Sequence, residues 1–499
     1  MKNTSFIKNV SFNSLGFIFQ VILVVIATPI ILNSLGKEIF GVWILINSII
    51  GYFSFTQGIS NSTIKYISEY YTKKDFKKIN SIYTFSILVF GFSALFLSFS
   101  LYLCSDIIIS SNLFMVSNGY QNIAIKSFQL ASIILFLSIV HSIFDSILKG
   151  IQRFDLFNII SIVMIFKTYI GYIVLVKLGF SIIEMLYLTL FIKIVRLFIS
   201  YFFCKKYISS LKINFNYSRS FFKEFKIFSY YSIGSSFFGQ LTNHLDKFMI
   251  SSFIGFSSLS FYAIPNRLLV RIKGFVNKIY EVCFPKFSEM VVNSNESELI
   301  SFYKQISKIT LVISITIFLP VVLYSFQIIN IWIGYDYALK GYEVMILLSI
   351  GSFLNITSGL STQVNLGLGF PKVNTFFSFI TSFLNIILII PFIFYWGIKG
   401  AALSFFVSSL SSPISLLYCN KYILKIKNYI FLKDVYFIPI FSLVLVAILS
   451  DLFLIGLINN FLSLFFVSIL TCIFYLLLLM LFKFINKEDF KIFTDLLNR

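Results

Sequence analysis

Apolar residues in this chain come in runs of about twenty, separated by short stretches where Lys, Asn, Ser and Gly collect. A helix needs about 20 such residues to cross a bilayer, so each run predicts a spanning helix. The runs lie near residues 10–32, 40–60, 81–104, 128–148, 157–177, 182–203, 228–254, 258–284, 305–330, 342–362, 374–396, 399–419, 436–457 and 461–484, fourteen in all. They do not alternate at period two, and they are too long for outer-membrane strands of about 10 residues, so a barrel is excluded. The first, Val10 to Leu32, is too long for a signal-peptide core and lacks a small-residue cleavage site; it is expected to stay as a span.

Composition points the same way. With 58% hydrophobic and 12% charged residues in 499, the fold class is an all-α polytopic membrane protein. The abundance of Phe and Tyr suits lipid contact and interfacial anchoring. A formal charge of +20 would suit nucleic acid, but no soluble domain exists to carry a binding face, and the charges sit mostly between spans. With the N-terminus inside, 27 Lys and Arg fall on cytoplasmic segments and five on the opposite face. By the positive-inside rule both termini are then cytoplasmic. The five cysteines are scattered without a CxxC, so neither a disulfide framework nor a zinc site is expected.

The other eight basic residues lie inside spans: Lys167, Lys193, Arg196, Lys247, Arg267, Arg271, Lys273 and Lys278. Well-buried acids are fewer, chiefly Asp145 and Asp246. A charge at mid-helix costs roughly 2.5 to 3.5 kcal/mol on insertion scales, so this excess predicts a basic, wet interior. The densest stretch is Gln240 to Glu281. At 100° per residue, Arg267, Arg271 and Lys278 fall at about 0°, 40° and 20°, on one face. Upstream, Gln240, Asn243, His244 and Lys247 share another. Two readings stay open: these residues line a cavity, or the eighth helix stops near Pro265 and residues 266–284 form an amphipathic cytoplasmic segment whose lysines and arginines reach the headgroups.

Polar stripes at helical spacing run through three spans: Asn9, Asn13, Gly16 and Gln20; Asn47, Gly51, Ser54, Gly58 and Asn61; Asn374, Ser378, Thr381 and Asn385. In lipid such stripes serve close packing more often than a water path. Pro29, Pro265, Pro320, Pro391, Pro413 and Pro439 predict kinks. His141, Asp145 and Lys149 stand at i, i+4 and i+8 on the fourth span, either as a satisfied packing pair near a helix end, the commoner use, or as a site for proton exchange.

Catalytic motifs do not appear. Leu35-Gly36-Lys37-Glu38 lacks the glycine and Ser/Thr of a nucleotide-binding loop, and there is no HExxH, no GxSxG and no Cys/His cluster. No cofactor and no enzyme activity are expected. A membrane glycosyltransferase would ordinarily carry a large extramembrane loop, and the longest here are about twenty residues. A parallel repeat is faintly visible: Leu35-Gly36 entering the second span is echoed by Ile254-Gly255 entering the eighth, and Gly150 after the fourth by Gly369 after the tenth, both at an offset of 219.

Several segments carry a resemblance. They are Leu35-Gly36 with Phe40-Gly41-Val42-Trp43, Gly58-Ile59-Ser60-Asn61, and Lys149-Gly150-Ile151-Gln152-Arg153-Phe154. To these are added Asp246 before Phe248-Met249-Ile250, Phe284-Pro285-Lys286, and Gly397-Ile398-Lys399-Gly400-Ala401-Ala402. Along nearly its whole length the chain resembles the Wzx-type O-antigen flippases of the multidrug/oligosaccharidyl-lipid/polysaccharide exporter superfamily. The resemblance implies two six-helix bundles around a central cationic cavity and a C-terminal helix pair. It also implies transfer of an undecaprenyl-diphosphate-linked oligosaccharide from the cytoplasmic to the periplasmic leaflet of the bacterial inner membrane. On it the chain divides into 1–204 and 228–420 as bundles, 205–227 as a cytoplasmic linker, and 421–499 as the terminal pair and tail.

A diphosphate needs fixed cations, and the guanidinium fork meets phosphate oxygens two at a time. The expected substrate-binding residues are therefore Arg267, Arg271, Lys278, Lys247, His244, Lys167, Lys193 and Arg196, with Asp145, His141 and Asp246 for coupling to protons or sodium. Expected partners are the lipid-linked oligosaccharide and membrane lipids, then a polysaccharide polymerase and chain-length proteins; nucleic acid is not one. Two rivals remain. A drug exporter of the same superfamily would want buried carboxylates for cationic substrates, and a non-transporting protein of polysaccharide assembly would keep mid-span residues dry.

Overall fold

The computed structural model describes residues 3–53, 57–111, 114, 118–214, 219–292, 296–368 and 370–484. Helices follow one another throughout. They are α1 (Asn3–Tyr52), α2 (Gln57–Thr72), α3 (Phe76–Ser110), α4 (Gln121–Gly150), α5 (Phe154–Lys177), α6 (Ile182–Tyr207), α7 (Arg219–Phe253), α8 (Phe256–Val292) and α9 (Glu296–Leu323). Then come α10 (Ser325–Trp332), α11 (Tyr335–Thr357), α12 (Gly359–Gly367), α13 (Pro371–Ser409), α14 (Ser411–Tyr418), α15 (Asn428–Leu432), α16 (Ile438–Phe453) and α17 (Phe461–Leu481). Among the described residues nine helical stretches are long and apolar enough to cross a membrane. The protein is an all-α polytopic membrane protein. α7 and α8, which carry Asp246, Lys247, Arg267, Arg271 and Lys273, are not among the nine.

The breaks in the long helices fall at glycines between predicted spans, the Gly397–Gly400 turn among them, while the prolines expected to kink α1 and α13 do not break them. α1 and α13 each join two predicted spans, and the non-helical residue inside them is Gly36 (φ 76°) and Gly397 (φ 58°), while Pro29 and Pro391 sit inside helical turns. A proline removes one hydrogen bond and tilts the axis, whereas positive φ redirects the chain at a single residue and only glycine does this without steric cost. Gly255, the partner of Gly36 at the offset of 219, also has positive φ (102°). The sequence echo is thus repeated in the backbone. Its second member, Gly369, lies outside the described residues.

The chain forms two compact units: Ser11–Ser260, and Phe261–Arg499 together with Met1–Val10. α7 belongs to the first, and the boundary falls within α8. In the first unit α2, α3, α4 and α6 pack around Ile67, Ile82, Phe90, Ile147 and Cys204, all fully buried. Lipid offers no hydrophobic drive between helices, so packing and interhelical hydroxyl bonds hold them. Thr63 and Ser86 meet at 3.1 Å, and Tyr172 and Thr189 at 2.6 Å.

In the second unit the stripe on α13 is used for packing. Asn374 Nδ2 donates to the Thr362 carbonyl (3.0 Å), its Oδ1 accepts from Asn365 (2.8 Å), Thr381 meets Ser411, and Asn385 donates to Ser408 (3.3 Å). Tyr324 and Thr471, 2.6 Å apart, tie α17 to the α9–α10 connection. On α1, Asn47 turns back to the Trp43 carbonyl (2.7 Å), and the stripe on residues 9–16 lies outside the described side chains, as do Ser54, Gly58 and Asn61.

Candidate functional site

The first unit encloses a group of four ionisable side chains. α6 presents Lys193, Arg196 and Ser200 at i, i+3 and i+7, which helical geometry places on one face. α4 presents His141 and Asp145 one turn apart. Arg196 Nη2 donates to Asp145 Oδ2 at 2.7 Å and to Ser161 Oγ of α5 at 3.0 Å, and Ser200 Oγ donates to Asp145 Oδ1 at 3.2 Å. Lys193 Nζ lies 3.3 Å from His141 Nε2. An ammonium group can only donate, so this contact makes Nε2 the acceptor and puts the ring proton on Nδ1. Nδ1 stands 3.3 Å from Asp145 Oδ2, without the alignment of a hydrogen bond.

The side chains of His141, Asp145 and Arg196 are 10%, 11% and 13% exposed. Removing ions this far from water costs several kcal/mol each, which is offset only where partners meet them well. Asp145 is well met. With His141 neutral, Lys193 and Arg196 against Asp145 leave one positive charge over.

Lys149, expected in line with His141 and Asp145, stands elsewhere, 3.9 Å above the Phe157 ring. The motif around it is a structural clamp. Arg153 grips Asp155 with two hydrogen bonds (2.9 and 2.6 Å) and covers the Tyr207 ring at 4.2 Å, while Gln152 takes positive φ (61°) to turn α4 into α5. A methyl group on Gly150 would come within 2.7 Å of Ile67, so the glycine also sets how closely α2 approaches.

A second charged pair lies in α7. Lys247 Nζ curls back to Asp246 (3.1 Å) and to the Asn243 carbonyl (2.6 Å), and both residues are buried. His244 packs against Gly51 of α1 so tightly that a Cβ there would stand 2.5 Å from its ring. The polar stripe on α1 therefore makes room for this imidazole.

The remaining candidates are distributed as follows. Arg267 and Arg271 are half-buried, one turn apart on α8, in the second unit. The structure has one uninterrupted helix from Phe256 to Val292, so it does not end at Pro265. Lys273 lies 5.4 Å from the Phe405 ring. Lys167 is exposed on α5, and the side chains of Lys278 and Glu281 lie outside the described residues. The sequence alone grouped Arg196 with the substrate and Asp145 with coupling, whereas the structure pairs them. Ser161 and Ser200 were not singled out, and only the spacing of Ser200 on the Arg196 face could have suggested it.

The sequence matches the polysaccharide biosynthesis protein family over residues 6–291. A Shigella flexneri protein named as a candidate O-antigen transporter is 23% identical over 417 residues, covering 80% of this chain and 94% of that protein. The fold is shared with the lipid II flippase MurJ in an inward closed conformation (TM-score 0.74, 19% identity, 94% of this chain and 98% of that one). It is also shared with an inward-facing multidrug resistance MATE family transporter of the MOP superfamily (TM-score 0.67, 14% identity, 81% and 95%). With more than half of its length matched by the family model, the chain belongs to the polysaccharide biosynthesis protein family, and it shares its fold with MurJ and the MATE transporter.

Proposed function

We propose that the protein is a flippase moving an undecaprenyl-diphosphate-linked oligosaccharide, an O-antigen or related repeat unit, from the cytoplasmic to the periplasmic leaflet of the inner membrane. The carrying observation is the state of the buried carboxylates. Asp145 is engaged by Arg196 and Asp246 by Lys247. A cationic drug would find both acids already matched, whereas the positive charge left over beside the Arg196–Asp145 pair, on Lys193, suits an anionic head group; Arg267 and Arg271 on α8 are assigned to the diphosphate by their chemistry. Arginine suits a diphosphate because its fork offers paired donors. The protein acts as a transporter.

On this reading the halves 1–204 and 228–420 alternate between inward and outward access, residues 205–227 link them, and 421–499 form the appended pair. Coupling to protons or sodium is assigned to the His141–Asp145 region and Asp246. A polysaccharide polymerase and chain-length proteins would receive the product. Reconstituted protein is expected to carry a fluorescent undecaprenyl-diphosphate oligosaccharide across a liposome membrane and to leave ethidium where it is. Ethidium movement without lipid movement would transfer the protein to the drug exporters.

The 27-to-5 basic bias supports a cytoplasmic location for both termini and for segments 61–80 and 205–226. Reporter fusions at Lys78 and Gly179 should read cytoplasm and periplasm respectively. The opposite signal at either site inverts or breaks the map.

A further inference from the structure

The foot of the terminal helix pair carries charge and apolar surface in an order that helix packing does not use. Lys433, Phe437 and Phe441 follow one another at i, i+4 and i+8, through a π-helical turn (Lys433–Phe437) into α16, and all three are exposed. Val444 and Ile448 continue the exposed apolar track up α16. Phe441 meets Phe482 edge to face at 5.9 Å, at the end of α17, and Phe482 is followed by exposed Lys483. Lys308 of α9 reaches the same corner, its ammonium 5.1 Å from the Phe484 ring. One turn before it, Lys304 holds Asp434 at 3.1 Å, so the carboxylate next to Lys433 is already engaged.

We propose that this corner seats an anionic bilayer phospholipid, with Lys433, Lys483 and Lys308 around its phosphate and its acyl chains along Phe437, Phe441 and Phe482. Both parts of the ligand are specified. The stretch Asn428–Phe453, which ends in α16, and α17 are long and apolar enough to cross the membrane; Lys433 near the start of the first and Lys483 just past the second then fall at headgroup depth, and the aromatic track at the depth of the upper acyl chain. Three lysines against one phosphate favour a lipid with a net negative headgroup over a zwitterionic one, whose own cation they would repel. A soluble acidic partner would reach the lysines but would leave the phenylalanine track uncovered.

The test is native mass spectrometry of delipidated protein with phosphatidylglycerol and phosphatidylcholine in competition. Wild type should retain phosphatidylglycerol preferentially, and Lys433→Gln with Lys483→Gln should cut that preference on the order of tenfold. Lys421→Gln with Lys425→Gln removes equal charge from exposed positions nearby and should leave it intact. A photoreactive phosphatidylglycerol on unaltered protein should label peptides spanning 433–441 and 477–484, a readout independent of how the variants fold. The proposal is overturned by no preference in wild type, by equal loss in both double variants, or by label elsewhere. It is also overturned if undecaprenyl phosphate displaces phosphatidylglycerol there, since the corner would then serve the substrate.

Discussion

Alanine at both Arg267 and Arg271 is expected to abolish export of the lipid-linked glycan while the protein stays in the membrane at its normal level. α8 runs unbroken for 37 residues, and at 1.5 Å per residue Arg267 and Arg271 lie about 17 and 23 Å from its start at Phe256. If α8 enters the membrane at Phe256, both arginines fall within a hydrocarbon layer of about 30 Å, where a wet cavity and not a cytoplasmic surface would hold them. Hydrogen bonds to charged groups contribute about 1.5 to 3 kcal/mol each, so losing two arginines from a diphosphate should cost on the order of 100-fold or more in transport. Lysine at either position should recover part of the activity, because charge is kept and the paired donors are lost. Cysteines there should react with a membrane-impermeant thiol reagent after the native cysteines are removed. Full export by the double alanine variant would remove the diphosphate from these residues and move the search to Lys167, Lys193 and Lys247.

Which parts of this architecture could be read in advance follows from what each depends on. Spanning helices depend on local apolar content, so the fourteen predicted runs fall largely in helices wherever their residues are described, and nine helical stretches among the described residues are long and apolar enough to cross a membrane. Helix breaks depend on backbone conformation at one residue. The Gly397–Gly400 turn was legible between two apolar runs, and Gly36 falls in the gap between the first two, but that one residue at positive φ makes each break is a backbone fact that the apolar pattern does not carry. The stripe on α13 was legible as polar, yet its use was set by partners on α12 and α14 and at the end of α13 itself, Thr362, Ser411 and Ser408. Charge pairing was the least legible. Lys149 shares the helical face of Asp145, but Arg196, 51 residues away in sequence, is the cation that meets the carboxylate, because helix packing brings α6 to α4 and nothing local records it.

That pairing makes the second large effect. Arg196→Met should lower the amount of folded protein sharply. The variant leaves Asp145 buried with only Ser200 donating and His141 beside it, and breaking a buried pair by removing one partner costs about 3 to 5 kcal/mol. Asp145→Asn on that background removes the stranded charge, so the double variant should regain most of its level in the membrane. Protein level therefore reports the structural share of the pair. The functional share is read separately, from export by the double variant across a range of pH. In the coupling reading His141 accepts from Lys193 through Nε2 and faces Asp145 through Nδ1. A proton arriving on Nε2 removes the acceptor of Lys193, and the imidazolium is then stabilised only while Asp145 is charged. The neutral amide introduced by Asp145→Asn cannot supply that charge, so the double variant should fold yet export at a rate that no longer follows pH. If it exports with the wild-type pH response, the group on α4 and α6 is a packing element, and the coupling ion must be sought at Asp246.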